Sequence, residues 1–304
     1  MDKDPIQIDS SLLRPVLRPR EVDSHKGDYG HLLVVAGCQR MPGAAVLATG
    51  AALKSGCGLV TLHSTERALQ AVINQYPSAM LSEDPGKTFS ILPEDGIGRF
   101  DALAVGPGLD RKPVTREALG ALLQEAGDLA IPTVLDADAL NLLSETQEWP
   151  DLVPRGSVLT PHAGELRRLL SWDSEEALHK TVAEICRRTE SVFVLKGYRT
   201  DIFTPAGAHL VNTTGNPGMA KGGSGDVLTG LIGGLLARGY APQDAAALGV
   251  WIHGYAGDFL TATTTAEAYS SRDLIDMLWA GFVALERDDE GLSPLARQSS
   301  NECI

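Results

Sequence analysis

The chain has 304 residues, 43% of them hydrophobic and 21% charged, with a formal net charge of -13. Such a chain can bury a core as one large domain or two modest ones. Its acidity argues against a nucleic-acid surface but not against small anions held by backbone amides.

No stretch approaches the roughly 18 apolar residues of a membrane span, and the opening Met1-Asp2-Lys3-Asp4-Pro5 does not read as a signal peptide. Cys38, Cys57, Cys186 and Cys303 form no CxxC pair, so a reducing, cytoplasmic setting without structural zinc or membrane contact is expected. Residues 1–25 are polar and proline-dotted and read as an extended lead-in. From His31 strands and helices alternate: a buried strand over 32–36, then an Ala-rich helix over 42–55 with Pro42 in its first turn. A strand over 58–63 and a helix over 66–74 follow. The next strand, 101–105, ends in Gly106-Pro107-Gly108. Beyond it come a helix near 115–125, strands at 133–136 and 157–160, and a helix over 163–170.

A strand at 192–196 precedes a hairpin, 201–203 with 209–211, closed around Pro205-Ala206-Gly207. The rest reads as helical over 225–238, 242–260 and 271–285, with residues 286–304 a polar, flexible tail. Repeated strand–helix units with short connections predict an α/β fold: one domain over 26–285, a mostly parallel central sheet with helices on both faces.

The most telling segment is Asn216-Pro217-Gly218-Met219-Ala220-Lys221-Gly222-Gly223-Ser224-Gly225-Asp226, just ahead of an apolar helix. A helix start offers unpaired N–H donors and the positive end of the macrodipole, so it suits a phosphate. A carboxylate in such a cradle repels phosphate, and makes sense as a base that takes the proton of a hydroxyl attacking phosphorus. The same dipole favours ionised Asp226 and so weakens it as a base. The bland alternative is a flexible turn with Asp226 as an ordinary first-turn acid.

In an open α/β sheet, ligands gather at the carboxyl ends of the strands. There fall Gly106-Pro107-Gly108, Asp136-Ala137-Asp138, Pro161-His162-Ala163-Gly164-Glu165 and Lys196-Gly197-Tyr198-Arg199-Thr200. Singly they read as a turn, helix caps and a snorkelling lysine; together they mark one edge. His162 and Glu165 have no third partner for zinc. Asp136 and Asp138 could orient Mg2+ through water, with a structural cap the other reading of Asp138. His253 reads as a packed helix residue.

These segments resemble the ADP-dependent NAD(P)H-hydrate dehydratases, a branch of the ribokinase-like superfamily. The resemblance rests on Lys26-Gly27-Asp28-Tyr29-Gly30-His31, Met41-Pro42-Gly43-Ala44-Ala45, Val105-Gly106-Pro107-Gly108-Leu109 and Leu135-Asp136-Ala137-Asp138-Ala139-Leu140. It continues through Leu159-Thr160-Pro161-His162-Ala163-Gly164-Glu165, Val194-Leu195-Lys196-Gly197, Gly222-Gly223-Ser224-Gly225-Asp226 and His253-Gly254-Tyr255-Ala256-Gly257-Asp258. The motifs stand in the family's order, from about Lys26 to Leu285.

The resemblance implies repair of nicotinamide cofactors hydrated on the ring. The ring hydroxyl of the S form attacks the terminal phosphoryl of ADP, AMP is released, and phosphate leaves to restore NADH or NADPH. It also implies Mg2+, a homo-oligomer (a tetramer), and coupling to an epimerase domain or protein. By resemblance, Ala44, Gly108, His162 and Asp226 border the hydrated NAD(P)H. Lys196, Gly197, Tyr198, Arg199, Thr200, Asn216 and Gly225 border ADP or AMP. Asp226 would be the base, with Gly222, Gly223, Ser224 and Gly225 holding the transferring phosphoryl. The Ala- and Gly-rich helices are candidates for subunit contacts.

Three other readings compete. A ribokinase-like kinase of a small alcohol, a vitamin precursor or sugar, would use the same Gly-rich-plus-Asp device, though 42–45 and 161–165 look more like the repair enzymes. A nucleotide-binding regulatory module would have no need of Asp226. A dinucleotide dehydrogenase is disfavoured because Val35-Ala36-Gly37-Cys38-Gln39-Arg40 lacks GxGxxG spacing.

Overall fold

The computed structural model describes residues 4–287. Ten strands form one sheet: β1 (Ile6–Ile8), β2 (His31–Val35), β3 (Leu59–Thr65), β4 (Met80–Asp84), β5 (Ala102–Val105), β6 (Thr133–Leu135), β7 (Val158–Leu159), β8 (Val192–Leu195), β9 (Asp201–Phe203) and β10 (His209–Asn212). Their order across the sheet is β1-β10-β9-β8-β7-β6-β5-β2-β3-β4. Only β9 runs antiparallel to its neighbours, β8 and β10; every other pairing is parallel.

Eleven helices among the described residues surround it: α1 (Ser10–Leu13), α2 (Pro42–Lys54), α3 (Glu66–Ile73), α4 (Pro113–Asp128), α5 (Ala137–Leu143), α6 (Trp149–Leu152), α7 (Ala163–Leu169), α8 (Glu175–Thr189), α9 (Ser224–Ala237), α10 (Pro242–Thr263) and α11 (Ser271–Glu286). Because strand side chains alternate, Leu32 and Val34 of β2 face one core while Leu33 and Val35 face the other. Helices α2, α3, α9, α10 and α11 cover the first face; α4 to α8 cover the second. Both faces are covered, which is why the central strands read as unbroken apolar runs. The expected ribokinase-like α/β fold is the one observed.

The differences lie at the margins. The lead-in contains β1, which pairs in parallel with β10 through Ile6–Leu210, Gln7–Val211 and Ile8–Asn212. Only Ile8 of its three side chains is buried, so no local pattern announces it. Edge strand β4 exposes Met80 and Leu81 and buries Asp84, the reverse of the usual signal. Helix α1, inside the expected extended lead-in, and helices α5, α6 and α8 are not in the sequence reading. The Ala- and Gly-rich α9 is buried along nearly its whole length within the chain, and so is spent on the core. The expected tail falls mainly on residues 288–304, outside the described residues, as does Cys303. No described helix is long and apolar enough to cross a membrane.

Candidate active site

Helix α9 starts at Ser224, directly after Gly223 at φ +93°. That conformation favours glycine, and a Cβ at Gly223 would lie 2.3 Å from Leu47 Cδ1, which would have to shift. The turn thus aims the first turn of α9, with its open amides, at the sheet edge. The Ser224 amide is donated to the Lys221 carbonyl at 3.3 Å, a weak bond that a bound phosphoryl would have to displace.

Three connections at the sheet edge meet this helix start. After β6, Asp136 is 1% exposed and the next residue, Ala137, sits at φ +49°. That left-handed step turns the chain sharply out of the strand into α5. Asp136 Oδ1 accepts from Lys196 Nζ at 2.6 Å, and its Oδ2 accepts from Thr229 Oγ1 of α9 at 2.7 Å. Lys196 follows β8 and forms a parallel bridge with His162; its Nζ is 3.9 Å from Glu165 Oε2. His162 caps α7, its Nδ1 accepting from the amides of Gly164 at 2.9 Å and Glu165 at 3.3 Å. Glu165 Oε2 accepts the His162 amide in return at 2.9 Å, a reciprocal capping box. The cap reading of His162 holds, and the ring still borders the cavity described next.

Between these elements lies a cavity of about 780 Å³ whose walls include His162, Lys196, Gly197, Tyr198, Thr200, Asn216, Ser224, Gly225 and Asp226. Gly223 shapes the turn from behind rather than lining it, and Arg199 is not among the lining residues. Ala44 and Gly108 do meet: a Cβ at Gly108 would lie 2.8 Å from Ala44 Cβ. They do so at the neighbouring β2–β5 edge, where Pro107 accepts the Gly37 amide at 2.7 Å, and not among the residues lining this cavity.

Burial pushes the Asp226 carboxyl up to about 7; Asp136 and Asp138 push the same way and Lys196 opposes them. The macrodipole argument alone gives the opposite sign. Desolvation and two nearby carboxylates outweigh it. Asp138 is neither cap nor cavity wall: its Oδ2 accepts the Asp110 amide at 3.0 Å, anchoring the turn that follows Gly108.

Two residues join the site beyond the sequence reading, which had His253 as a packed helix residue and gave Thr229 no role. His253 of α10 is 7% exposed and borders the cavity, its Nε2 3.4 Å from Ser224 Oγ. Burial holds its pKa down to about 4, so a neutral imidazole faces the cradle. Thr229 braces Asp136 from one helical turn beyond Gly225, whose carbonyl it also approaches at 3.0 Å. Among the described residues no three His, Cys, Asp or Glu gather closely enough to hold a metal ion.

Comparison with known proteins bears on this edge. A protein named ADP-dependent (S)-NAD(P)H-hydrate dehydratase from Neisseria meningitidis is 39% identical over 255 residues, covering 81% of this chain and 82% of its own. A bifunctional NAD(P)H-hydrate repair enzyme from Moorella thermoacetica is 40% identical over 276 residues, 87% of this chain but 51% of its own. The chain thus spans about half the length of such bifunctional relatives. The crystal structure of an ADP/ATP-dependent NAD(P)H-hydrate dehydratase from Bacillus subtilis, co-crystallized with ATP and Mg2+, superposes with a TM-score of 0.78 at 31% identity, covering 93% of this chain and 99% of its own. The family model for NAD(P)H-hydrate dehydratase matches residues 32–279, a span that contains every segment lining the cavity, and by that coverage the chain belongs to the NAD(P)H-hydrate dehydratase family.

Proposed function

We propose that the protein removes water from the S form of hydrated NADH and NADPH, with ADP as phosphoryl donor and AMP and phosphate as products. The observation that carries this reading is Asp226: a carboxyl pushed up to about 7, in the first turn of a glycine-started helix, facing a cavity of nucleotide size. A base with that pKa accepts a proton near neutrality and still holds useful driving force. Nothing so placed is needed merely to bind a nucleotide. The names of the Neisseria and Bacillus relatives support the substrate and the adenine nucleotide.

Hydroxide is a poor leaving group and phosphate a good one, so the reaction divides in two. Asp226 takes the ring hydroxyl's proton as its oxygen forms a bond to the terminal phosphorus of ADP and the bond to AMP breaks. The amides of Ser224 and Gly225, which line the cavity, face the charge spread over the transferring oxygens, with Gly222 and Gly223 shaping the turn behind them. His253, neutral, fixes the Ser224 hydroxyl beside them. The nitrogen lone pair then expels phosphate from the ring, and loss of a proton from the adjacent carbon restores the reduced nicotinamide. Lys196 and the 197–200 turn border the nucleotide, and His162 the hydrated cofactor, with Ala44 and Gly108 along the adjoining edge.

The donor set fits a Mg2+ that arrives with the nucleotide, since this ion keeps much of its water and binds through phosphates and one or two carboxylates. Asp136 and Glu165 line the cavity and would face it through that water shell; Asp138, which is not among the lining residues, would not. The ion would supply neutralisation of phosphate charge. A homotetramer working in the cytoplasm, with an epimerase fused or separate, goes with this reading, and the bifunctional Moorella relative supports the coupling.

The direct test is absorbance in the reduced-nicotinamide band with hydrated NADH, Mg2+ and either ADP or ATP. A rise matched by AMP release with ADP is expected. A rise with ATP alone would overturn the donor. No rise with either, together with nucleotide-dependent phosphorylation of a small alcohol, would replace the reading with a kinase.

A further inference from the structure

In the motif His253-Gly254-Tyr255-Ala256-Gly257-Asp258, only His253 has a part in the chemistry above. Gly254, Gly257 and Asp258 face the 213–221 loop, which supplies Thr214, Gly215, Asn216, Pro217, Met219 and Ala220 to the cavity wall. A Cβ at Gly254 would lie 2.2 Å from Thr214 Oγ1, and one at Gly257 2.5 Å from Met219 Sδ. A Cβ at Gly254 would also come within 2.7 Å of the Thr214 backbone, so this glycine lets the loop lie directly on α10, while Gly257 leaves room for the Met219 side chain. Asp258 is four residues beyond Gly254 and so on the same helix face.

Its carboxylate is spent wholly on the loop: Oδ2 accepts the Gly215 amide at 2.9 Å and Oδ1 accepts Asn216 Nδ2 at 3.0 Å. With its nitrogen committed to Asp258, Asn216 presents Oδ1 the other way, to the Gly218 amide at 3.0 Å and the Tyr269 hydroxyl at 2.9 Å. Lys221 closes the far end, its Nζ donating to the carbonyls of Ala266, Glu267 and Tyr269 at 2.9, 3.2 and 2.5 Å. A lysine in a glycine-rich turn invites a phosphate-binding role; here all three of its donors staple the loop.

We propose that Asp258 is a positioning residue of the nucleotide subsite, holding Gly215 and Asn216 in their receiving conformation before the nucleotide arrives. The proposal rests on the reading of this loop as the nucleotide border. Its physical content is preorganisation: a loop ordered at folding loses little freedom on binding, and affinity rises accordingly. The carboxylate acts from behind the loop, with both oxygens already bonded, and so does not present its charge to the phosphates.

The test uses the full chain with Asp258→Ala, Asp258→Asn and Tyr269→Phe. ADP affinity is measured by calorimetry, KM and kcat for each substrate by the absorbance assay, and loop order by amide exchange over 213–221. Asp258→Ala should weaken ADP binding and raise the KM for ADP by roughly tenfold to a hundredfold, as expected when one or two hydrogen-bonded positions are lost. The kcat at saturating ADP and the KM for hydrated NADH should move less than about threefold, the signature of lost uniform binding. Asp258→Asn keeps an acceptor for Gly215 but sets a second amide nitrogen against Asn216, so its effect should be intermediate. Tyr269→Phe, which removes one hydroxyl, should act least, and exchange of the Gly215 amide should quicken in the same order. Wild-type ADP affinity and loop protection in folded Asp258→Ala would overturn the proposal. So would a joint fall in kcat and rise in both KM values, which is what a merely structural residue produces. Failure of the unaltered protein to bind ADP would overturn the nucleotide reading itself.

Discussion

Replacing Asp226 by Asn should make the protein more stable and almost inactive. The carboxyl is held at about 7 against an ordinary 3.8, a displacement of roughly three units, or ~4 kcal/mol at about 1.4 kcal/mol per unit. The sign follows from proton counting. Between about pH 4 and pH 7 the folded state keeps this proton while the unfolded chain has lost it, so stability falls as pH rises through that window. Above it both states are ionised and the folded state carries the full cost of a buried charge. Asp226 retains partial contact with solvent, which discounts the ceiling, and a gain of about 1–3 kcal/mol is expected for Asp226→Asn near pH 8. Urea unfolding of both proteins near pH 8 and pH 4, with equal slopes, measures it; the gain should vanish at the lower pH. Turnover should fall by roughly a hundredfold to ten-thousandfold, with ADP still bound. An Asn variant no more stable near pH 8, or one whose gain persists near pH 4, would refute the reasoning. Near-normal turnover would place the base elsewhere.

The pH profile of kcat/KM should show an acidic limb near pH 7, activity being lost as Asp226 gains its proton. Asp136→Asn removes the second-largest cause of the displacement and should move that limb to lower pH; a limb that stays put would mean another group is titrating. Gly223→Ala forces a side chain onto a backbone at φ +93° and against Leu47, and should cost about 1–3 kcal/mol while raising the KM for ADP. An unaffected KM in that variant would remove the cradle assignment. Lys196→Met strips the cation from a carboxylate that is 1% exposed, at an expected cost of about 3–5 kcal/mol. Adding Asp136→Asn should recover part of it, and denaturation midpoints that simply add would show the pair is not coupled.

What was legible in the chain was whatever a few neighbouring residues enforce. The run Gly222-Gly223-Ser224-Gly225-Asp226 announces a helix start because the requirement is local, one left-handed residue and room for one approaching group. The buried strands β2, β5 and β8 are legible because both faces of the sheet are covered and, after His31, every position is apolar. Helix α8 was missed although Leu178, Val182, Ile185 and Cys186 repeat at helical spacing; its many charges masked the stripe, and a count by period would have found it. Strand β1 offers no such remedy, since its three residues acquire a partner only when β10, some two hundred positions away, is in place.

The site divides along the same line. The acids and the lysine could be named one by one, but their strengths could not, because each is set by a residue distant in sequence. Asp226 lies 90 positions after Asp136, Lys196 reaches back 60 to hold Asp136, and His253 meets Ser224 across 29. The one electrostatic influence readable from sequence, the dipole of α9, is outweighed at this position and carries the opposite sign. A base of the right strength therefore arises from the fold as a whole: the glycine start brings a carboxylate to the sheet edge, and the burial and second carboxylate waiting there make it a base.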